Sequence, residues 1–578
     1  MNKNDVISVL ERIAILLELK GENPFKSRAY ENGARILKTR EETIEALVET
    51  GKLSEIKGVG KALVDKISTL VTTGSLAYYD NLRAEFPDTI FDLLRIPGLG
   101  GKKIKVLYEK LGIASLPELE IACKRNRIAV LSGFGQRTQD KILQGIDFIN
   151  QHQGQFHVHI ALKIGAKIKQ SLLDHAHVIR VEIAGSLRRA KEIVKDVDIV
   201  ASAEPEHHQE IMDFFVASDE VESIIAHGKT KSSIRMKNGL AVDLRLVSDA
   251  EFPFVLHHFT GSKEHNTAMR REAKKVGLKM NEYGLFQETG DSLQCADETE
   301  IFSALNMAFI PPEMREDRGE IEAAQTNDLP ELVTNQDLRG ILHNHSTWSD
   351  GLNSVEEMAQ TCQEMGMHYL GIADHSESAF YANGLTAERL QQQGNEIADL
   401  NKKNPDFRIF HGTECDILTD GALDFPDEVL AELDYVVISV HSKLEMSETE
   451  ATDRILKAMQ NPFATILGHP TGRILLGRKG YSLNYQEIFA AAVEYGVVIE
   501  INTNPFRLDL DWRYIRQARD AGVKLSINPD AHKTTGLADM FLGVGLARKG
   551  WLTKKDVLNT LSKNEIAAYF SHKKNRVR

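Results

Sequence analysis

The chain has 578 residues, 42% hydrophobic and 26% charged, which excludes a disordered or fibrous protein and predicts about three to five domains. No apolar run approaches the ~18 residues that span a bilayer, the N-terminus lacks a signal-peptide pattern, and four scattered cysteines exclude a disulfide framework, so a cytoplasmic protein is expected. The net charge of −13 argues against a nucleic-acid partner only until it is divided: residues 1–150 are net +3, residues 151–320 net −6 and residues 321–578 net −10.

The N-terminal part reads as helical. Val6, Val9, Leu10, Ile13, Leu16 and Leu17 recur at helical spacing, and Pro24 opens a second amphipathic stretch. Three segments then share one pattern: IKGVGKALVDKI (56–67), IPGLGGKKIKVL (96–107) and LSGFGQRTQDKIL (131–143). The pairs Gly58/Gly60, Gly98/Gly100 and Gly133/Gly135 lie 40 and 35 residues apart, which is an internal repeat. Paired glycines allow a tight turn whose amides, at a helix N-terminus, hold a phosphate oxygen. The pattern resembles the helix-hairpin-helix motif, which grips a DNA backbone without reading sequence. Basic clusters flank the hairpins (Lys102, Lys103, Lys105; Lys124, Arg125, Arg127) and recur at Arg270, Arg271, Lys274 and Lys275.

In VEIAGSLRRAKEIVKDVDIVAS (181–202), an apolar strand leads through a Gly-Ser turn into a second strand. Alternation puts Asp196 and Asp198 on one face of that strand. LAVDLRLV (240–247) repeats the arrangement, with Asp243 and Arg245 opposite Val242 and Leu244. Three carboxylates on adjoining strands suit two Mg²⁺ ions, which leave coordination sites for substrate phosphates. The turn at Gly185 and Ser186, with Arg188 and Arg189, offers amides, a hydroxyl and guanidinium groups to a triphosphate.

These motifs resemble those of the family X DNA polymerases: GSLRRAKEIVKDVDI looks like the Gly-Ser motif and first two catalytic aspartates, and LAVDLRL like the strand with the third. HHFTGSKEHNTAMR (257–270) resembles the nucleotide-contacting segment. The resemblance implies that Asp196, Asp198 and Asp243 bind two Mg²⁺, with Asp243 also helping to deprotonate the primer 3′-hydroxyl. It implies that Gly185, Ser186 and Arg189 serve the β and γ phosphates, Phe259 and Gly261 the sugar, Asn266 the minor-groove edge of the base, and Arg270 the template strand. His258 stands where the animal enzymes have Tyr, and Lys263 replaces an acidic residue. By the same resemblance IKGVGKALVDKI matches a small lyase domain, with Lys66 at the Schiff-base position for 5′-deoxyribose phosphate removal; a plain surface lysine is the alternative.

Residues 311–337 are polar, acidic and bounded by prolines, which suits a linker. Beyond them seven short apolar runs end in polar clusters: ILHNHS, YLGIADHS, FRIFHGTECDI, YVVISVHS, TILGHP, VVIEINT and VKLSINPDAH. Such βα alternation argues for parallel strands with a site at their C-terminal ends. Imidazoles and carboxylates at almost every run end suit two or three Mn²⁺, Zn²⁺ or Fe²⁺ ions. The pattern resembles the PHP (polymerase and histidinol phosphatase) domain, whose nine ligand positions are filled by His343, His345, Asp350, His375, Glu414, His441, His469, Asp530 and His532. Asp374, Asp416 and Arg473 lie close in sequence, with ligand-supporting and structural roles both open.

The expected protein is multidomain, with helical helix-hairpin-helix domains, an α+β nucleotidyltransferase palm and thumb, and a distorted (β/α)7 PHP barrel. Its expected segments are a lyase-like domain (1–85), a fingers-like domain (86–150), palm (151–247), thumb-like domain (248–312), linker (313–337) and PHP phosphoesterase (338–578). The order is that of bacterial family X polymerases with a PHP domain. It implies a monomeric short-gap repair polymerase acting on gapped or primer-template DNA and dNTPs, with 3′–5′ exonuclease or AP endonuclease chemistry in the barrel and no membrane partner. A phosphomonoesterase with a DNA-binding arm and a non-catalytic repair scaffold are the alternatives.

Overall fold

Each Gly-apolar-Gly segment becomes a turn that opens a helix. Gly58, Gly98 and Gly133 adopt positive φ (96°, 77° and 82°), a region closed to most side chains. Gly60, Gly100 and Gly135 are the N-caps of helices Lys61–Thr73, Gly101–Leu111 and Gln136–Gln151. None of these caps has a side chain to satisfy the first helical amides, so those amides are left for an external acceptor. The computed structural model describes residues 1, 3–38, 40, 42–96 and 98–575, the side chains of Asn4 and Asn575 apart; Pro97 of the second hairpin lies outside them.

The chain divides into two compact units, Met1–Gln153 and Gly154–Arg578. In the first, one hydrophobic core runs from Val6 through Leu63, Leu93 and Ile104 to Ile149. The boundary expected near residue 85 therefore separates no independent core.

The second unit contains two large sheets, beside two short two-stranded ones (Phe156–His157 with Ile193–Val194, and Lys279–Met280 with Leu285–Phe286). A five-stranded mixed sheet has the order Arg180–Ile183, Asp196–Ser202, Ala241–Val247, Lys231–Met236, Val221–His227. Strand Asp196–Ser202 runs parallel to Ala241–Val247 with Asp198 directly opposite Asp243, so the pleat presents both carboxylates on one face. The other faces bury Val197, Ile199, Val242 and Leu244. Helices Phe252–Thr260, Lys263–Lys275 and Glu298–Ala304 follow.

The second sheet has seven parallel strands in sequence order: Gly340–Ile341, Tyr369–Ile372, Arg408–Asp416, Tyr435–Ser439, Ile466–Leu467, Val498–Asn502 and Leu525–Asn528. Every one of the seven apolar runs supplies a strand. A bridge between Asn344 and Ala531 joins the first and last strands just beyond their ends, so the barrel is nearly closed. Strands buried on both faces read as unbroken apolar runs, the pattern of parallel sheets.

Residues 313–337 differ from the expected linker. Arg315 is fully buried, donating to the Ile310 carbonyl (2.8 Å) and to Glu298. Glu320 is equally buried against His265 (2.7 Å), while Ile321, Ala324 and Val333 join hydrophobic cores. Three of the charges that suggested a solvated spacer, Arg315, Glu316 and Glu320, are paired in the interior, whereas Asp317, Arg318, Glu322, Asp328 and Glu331 are exposed. No helix among the described residues is long and apolar enough to cross a membrane.

Candidate metal centres

In the five-stranded sheet, Asp196, Asp198 and Asp243 gather on one face beside the Gly185 turn. Burial, then the charges of Asp196 and Asp243, push Asp198 up to about 7. Burial and Asp243 also raise Asp196. Lys231 reaches Asp243 at 2.8 Å across the neighbouring strand. Gly185 has φ +64°, and a Cβ there would collide with the Asp198 carboxylate, so glycine is required for the turn to approach the acid. A half-buried acidic cluster with too few cations of its own fits divalent ions. The aspartates are nonetheless absent from the groups of His, Cys, Asp and Glu whose donor atoms converge within 4.8 Å among the described residues.

The expected nucleotide-contacting residues fall into two sets. Asn266 Nδ2 donates to the carbonyls of His258 (2.6 Å) and Gly261 (3.3 Å), clasping the turn ahead of its helix. Phe259 lies under the Arg245 guanidinium, 4.0 Å from its ring centre, and Arg270 is exposed. Arg189, in contrast, does not point freely at the expected phosphate position. Its Nε meets Glu316 at 3.0 Å and its Nη1 donates to the Thr260 carbonyl at 2.8 Å. Glu316 is shared with Lys191 (3.3 Å) and with Lys549 from the barrel (2.6 Å). Burial alone would raise Glu316, but Lys549, Arg189 and Lys191 outweigh it and take the carboxyl down to about 2. Lys549, itself buried, is pushed down to about 8 and also donates to the Arg189 carbonyl at 2.9 Å.

At the C-terminal ends of the barrel strands, all nine expected ligands converge. Three donor groups overlap: His345, Asp350, His375 and His532; His343, His345 and Asp530; His375, Glu414 and His441. His469 Nε2 lies 2.9 Å from Glu414 Oε1. Glu414 is the hub, also within 3.3 Å of His343 and of His441. His343, His469 and Asp530 hold positive φ (58°, 25° and 52°), strain that clusters where side chains must be aimed. His343 Nε2 and Glu414 Oε2 are buried without hydrogen-bond partners, and borderline-soft imidazoles mixed with carboxylates suit Mn²⁺, Zn²⁺ or Fe²⁺.

Burial lowers His441, but Glu414 and Asp416 reverse this and take it up to about 10. Burial, with His532 and His375 adding to it, takes His345 down to about 3. Asp416 orients His441 through Nδ1 at 2.6 Å. Asp374 is a structural anchor, accepting from the Ser346 amide (2.7 Å) and hydroxyl (2.6 Å). Arg473 joins Asp511 at 2.7 Å and sits 4.0 Å from Glu192, just ahead of the short strand Ile193–Val194.

Glu500, absent from the expected site, belongs to it. It accepts from His343 Nδ1 (2.7 Å), the His469 amide (2.8 Å) and Asn528 (3.0 Å), fixing two ligands at once. The available signal was one acid inside the apolar run VVIEINT. Arg507, 3.8 Å from Asp530, was also missed.

In the helical unit, Lys66 Nζ lies 5.0 Å from the Tyr78 ring centre and 6.0 Å from that of Tyr30. It donates a long hydrogen bond to the Ala62 carbonyl, 3.4 Å.

Comparison with known proteins assigns four stretches to families: a helix-hairpin-helix domain (residues 1–76), a SAM-like helix-hairpin-helix tandem (90–147), the DNA polymerase beta thumb (255–316) and the PHP domain (342–504). The DNA polymerase/3′-5′ exonuclease PolX of Bacillus subtilis is 40% identical over 572 residues, covering 98% of this chain and 99% of that protein. A probable phosphatase of Thermoanaerobacter sp. (strain X514) is 27% identical over 246 residues, 41% of this chain and 95% of the relative. Leishmania infantum polymerase beta, in a ternary complex, is 22% identical with a TM-score of 0.26, covering 39% of this chain and 98% of that one.

Proposed function

The chain belongs to the PolX family of DNA polymerases that carry a PHP domain, and from that premise we propose a DNA polymerase and 3′–5′ exonuclease whose two chemistries occupy separate centres of one body. The observation that carries this reading is the coexistence of the aspartate face of the mixed sheet and the nine-ligand barrel in Gly154–Arg578.

For synthesis, Asp196, Asp198 and Asp243 hold two divalent ions, Mg²⁺ being the natural choice. These ions, when bound, stabilise charge on the attacking and leaving oxygens. Ser186 and the Gly185 turn face the triphosphate, Phe259 and Gly261 the sugar, Asn266 the base and Arg270 the template. Asp243 accepts the primer 3′-hydroxyl proton as that oxygen attacks the α-phosphate in line and pyrophosphate leaves. The three hairpins hold DNA phosphates through helix-opening amides, which suits short gaps because the grip is independent of sequence.

For degradation, the barrel ligands hold two or three Mn²⁺, Zn²⁺ or Fe²⁺ ions, which activate water and polarise the terminal phosphodiester when bound. Glu500 and Asp416 keep His343 and His441 in the tautomer and orientation that ligation needs. The likeness of the barrel to probable phosphatases motivates a second reading, hydrolysis of small phosphomonoesters. Comparing phosphomonoesterase with exonuclease rates separates the two. AP endonuclease action belongs to the same centre and is read from an abasic-site duplex.

The test is primer extension and degradation on a gapped duplex, with Mg²⁺ and Mn²⁺ compared. Asp198→Ala abolishes nucleotide addition and spares 3′ degradation; His343→Ala does the reverse. Survival of synthesis in Asp198→Ala removes the palm assignment. For Lys66, borohydride trapping of a 5′-deoxyribose phosphate end labels the wild type and not Lys66→Ala if the residue is a Schiff-base lysine.

A further inference from the structure

The loop after the second barrel strand carries Phe380, the most exposed large apolar side chain among the described residues at 86%, followed by Tyr381 at 64%. The loop is braced. Ser376 pairs with Leu385 across its base, and the Ala379 and Gly384 amides bond to the Ser376 and Ala379 carbonyls, both at 3.1 Å. The Ser378 amide donates to Asp424 at 2.7 Å. Arg389 donates to the carbonyls of Asn383 (3.0 Å) and Gly384 (3.2 Å). Presenting two aromatic rings to water on a fixed loop forgoes the stabilisation their burial would give, so folding alone does not explain them.

Their position does. The Tyr381 ring centre is 6.4 Å from that of the ligand His375. Phe380 continues the surface outward, its ring 6.2 Å from Tyr381 and turned by 77°. The two rings form a corner, so bases resting on them are splayed from each other as in an unpaired strand. Arg507, 3.8 Å from Asp530, sets a guanidinium at the same mouth.

We propose that Phe380 and Tyr381 form a stacking platform for the unpaired terminal bases of a DNA 3′ end whose last phosphodiester enters the barrel centre, with Arg507 facing that phosphate. Every base has a π-face, so such a platform is indifferent to sequence. It requires bases freed from their partners, and therefore favours frayed or mismatched ends over paired ones. The inference rests on the reading of the barrel as a 3′-end nuclease.

The experiment uses the full chain. Phe380→Trp introduces an emission probe, and titration with (dT)8 quenches it, whereas a blunt duplex does not. Phe380→Ala and Tyr381→Ala each raise KM for a mismatched 3′ end by about tenfold, with kcat, metal content and synthesis on a recessed primer unchanged. Phe380→Tyr retains the wild-type KM and Phe380→Leu does not. Wild-type KM in both alanine variants, together with unquenched emission, overturns the proposal. So does a dimer that dissociates in Phe380→Ala, since the rings would then belong to an interface between copies. Quenching of Phe380→Trp by (dT)8, with no 3′ degradation by the wild type, would instead overturn the nuclease reading and leave the platform standing.

Discussion

The barrel and the five-stranded sheet bring acidic groups together by different means. In the barrel, imidazoles alternate with carboxylates, so the ligands hold one another: Glu414 touches His343, His441 and His469, and Glu500 and Asp416 hold the outer nitrogens of His343 and His441. In the sheet the three carboxylates face one another, with Lys231 and Arg245 as the nearby cations. Burial, then their mutual repulsion, raises Asp196 and Asp198, Lys231 pairs with Asp243, and the donor atoms stay apart. A mixed ligand set is organised by its own hydrogen bonds, whereas an all-carboxylate set depends on the cations that arrive with substrate.

Removing the hub breaks this contrast most severely. Glu414→Ala lowers exonuclease activity by at least about 10³-fold and empties the barrel, while synthesis persists; loss of both activities would mean that the two centres are not separable. Weakening the supports is milder. Asp416→Asn and Glu500→Gln each lower barrel metal affinity by about 10–100-fold, measured by chelator competition, and an unchanged affinity would remove their orienting role. Lys231→Met acts in the opposite direction at the sheet. The pair is partly exposed, so Mg²⁺ affinity rises only about two- to fivefold; a fall would show that Lys231 helps the site. The smallest effect concerns the junction between the two regions. Glu316 titrates near 2 when folded against an ordinary 4.5. Its ion pairs therefore stabilise the fold fully above about pH 4.5, and that contribution is lost as pH falls toward 2. Glu316→Gln flattens this part of the acid-unfolding curve, and an unaltered slope would contradict the pairing with Lys549 and Arg189.

Much of this organisation was legible because the motifs are local. Gly-apolar-Gly dictates its own turn, Asp196 and Asp198 share a face by alternation alone, and the nine candidate barrel ligands stand at or just beyond the ends of apolar runs. What stayed hidden depends on partners distant in sequence. Arg189 is paired with Glu316, which lies 127 residues away. The segment 313–337 looked solvated because composition does not distinguish a charge in water from one paired in the interior, as Arg315 is with Glu298 and Glu320 with His265. Glu500 sits within an apolar strand, and only the closing of the barrel brings it to His343. Likewise the hydrophobic clusters within the two compact units cross every expected domain boundary but the one near residue 150, because periodicity reveals faces and not which faces meet.

The contrast between a self-organised barrel and a cation-dependent aspartate face is tested most directly by metal stoichiometry after exhaustive gel filtration, with the wild type, Asp198→Ala and His343→Ala compared by elemental analysis. The wild type and Asp198→Ala retain the same two or three transition-metal ions per chain without DNA or nucleotide, and His343→Ala loses them. Retention of metal by His343→Ala, or its loss on Asp198→Ala, would contradict the assignment of the tightly held ions to the barrel.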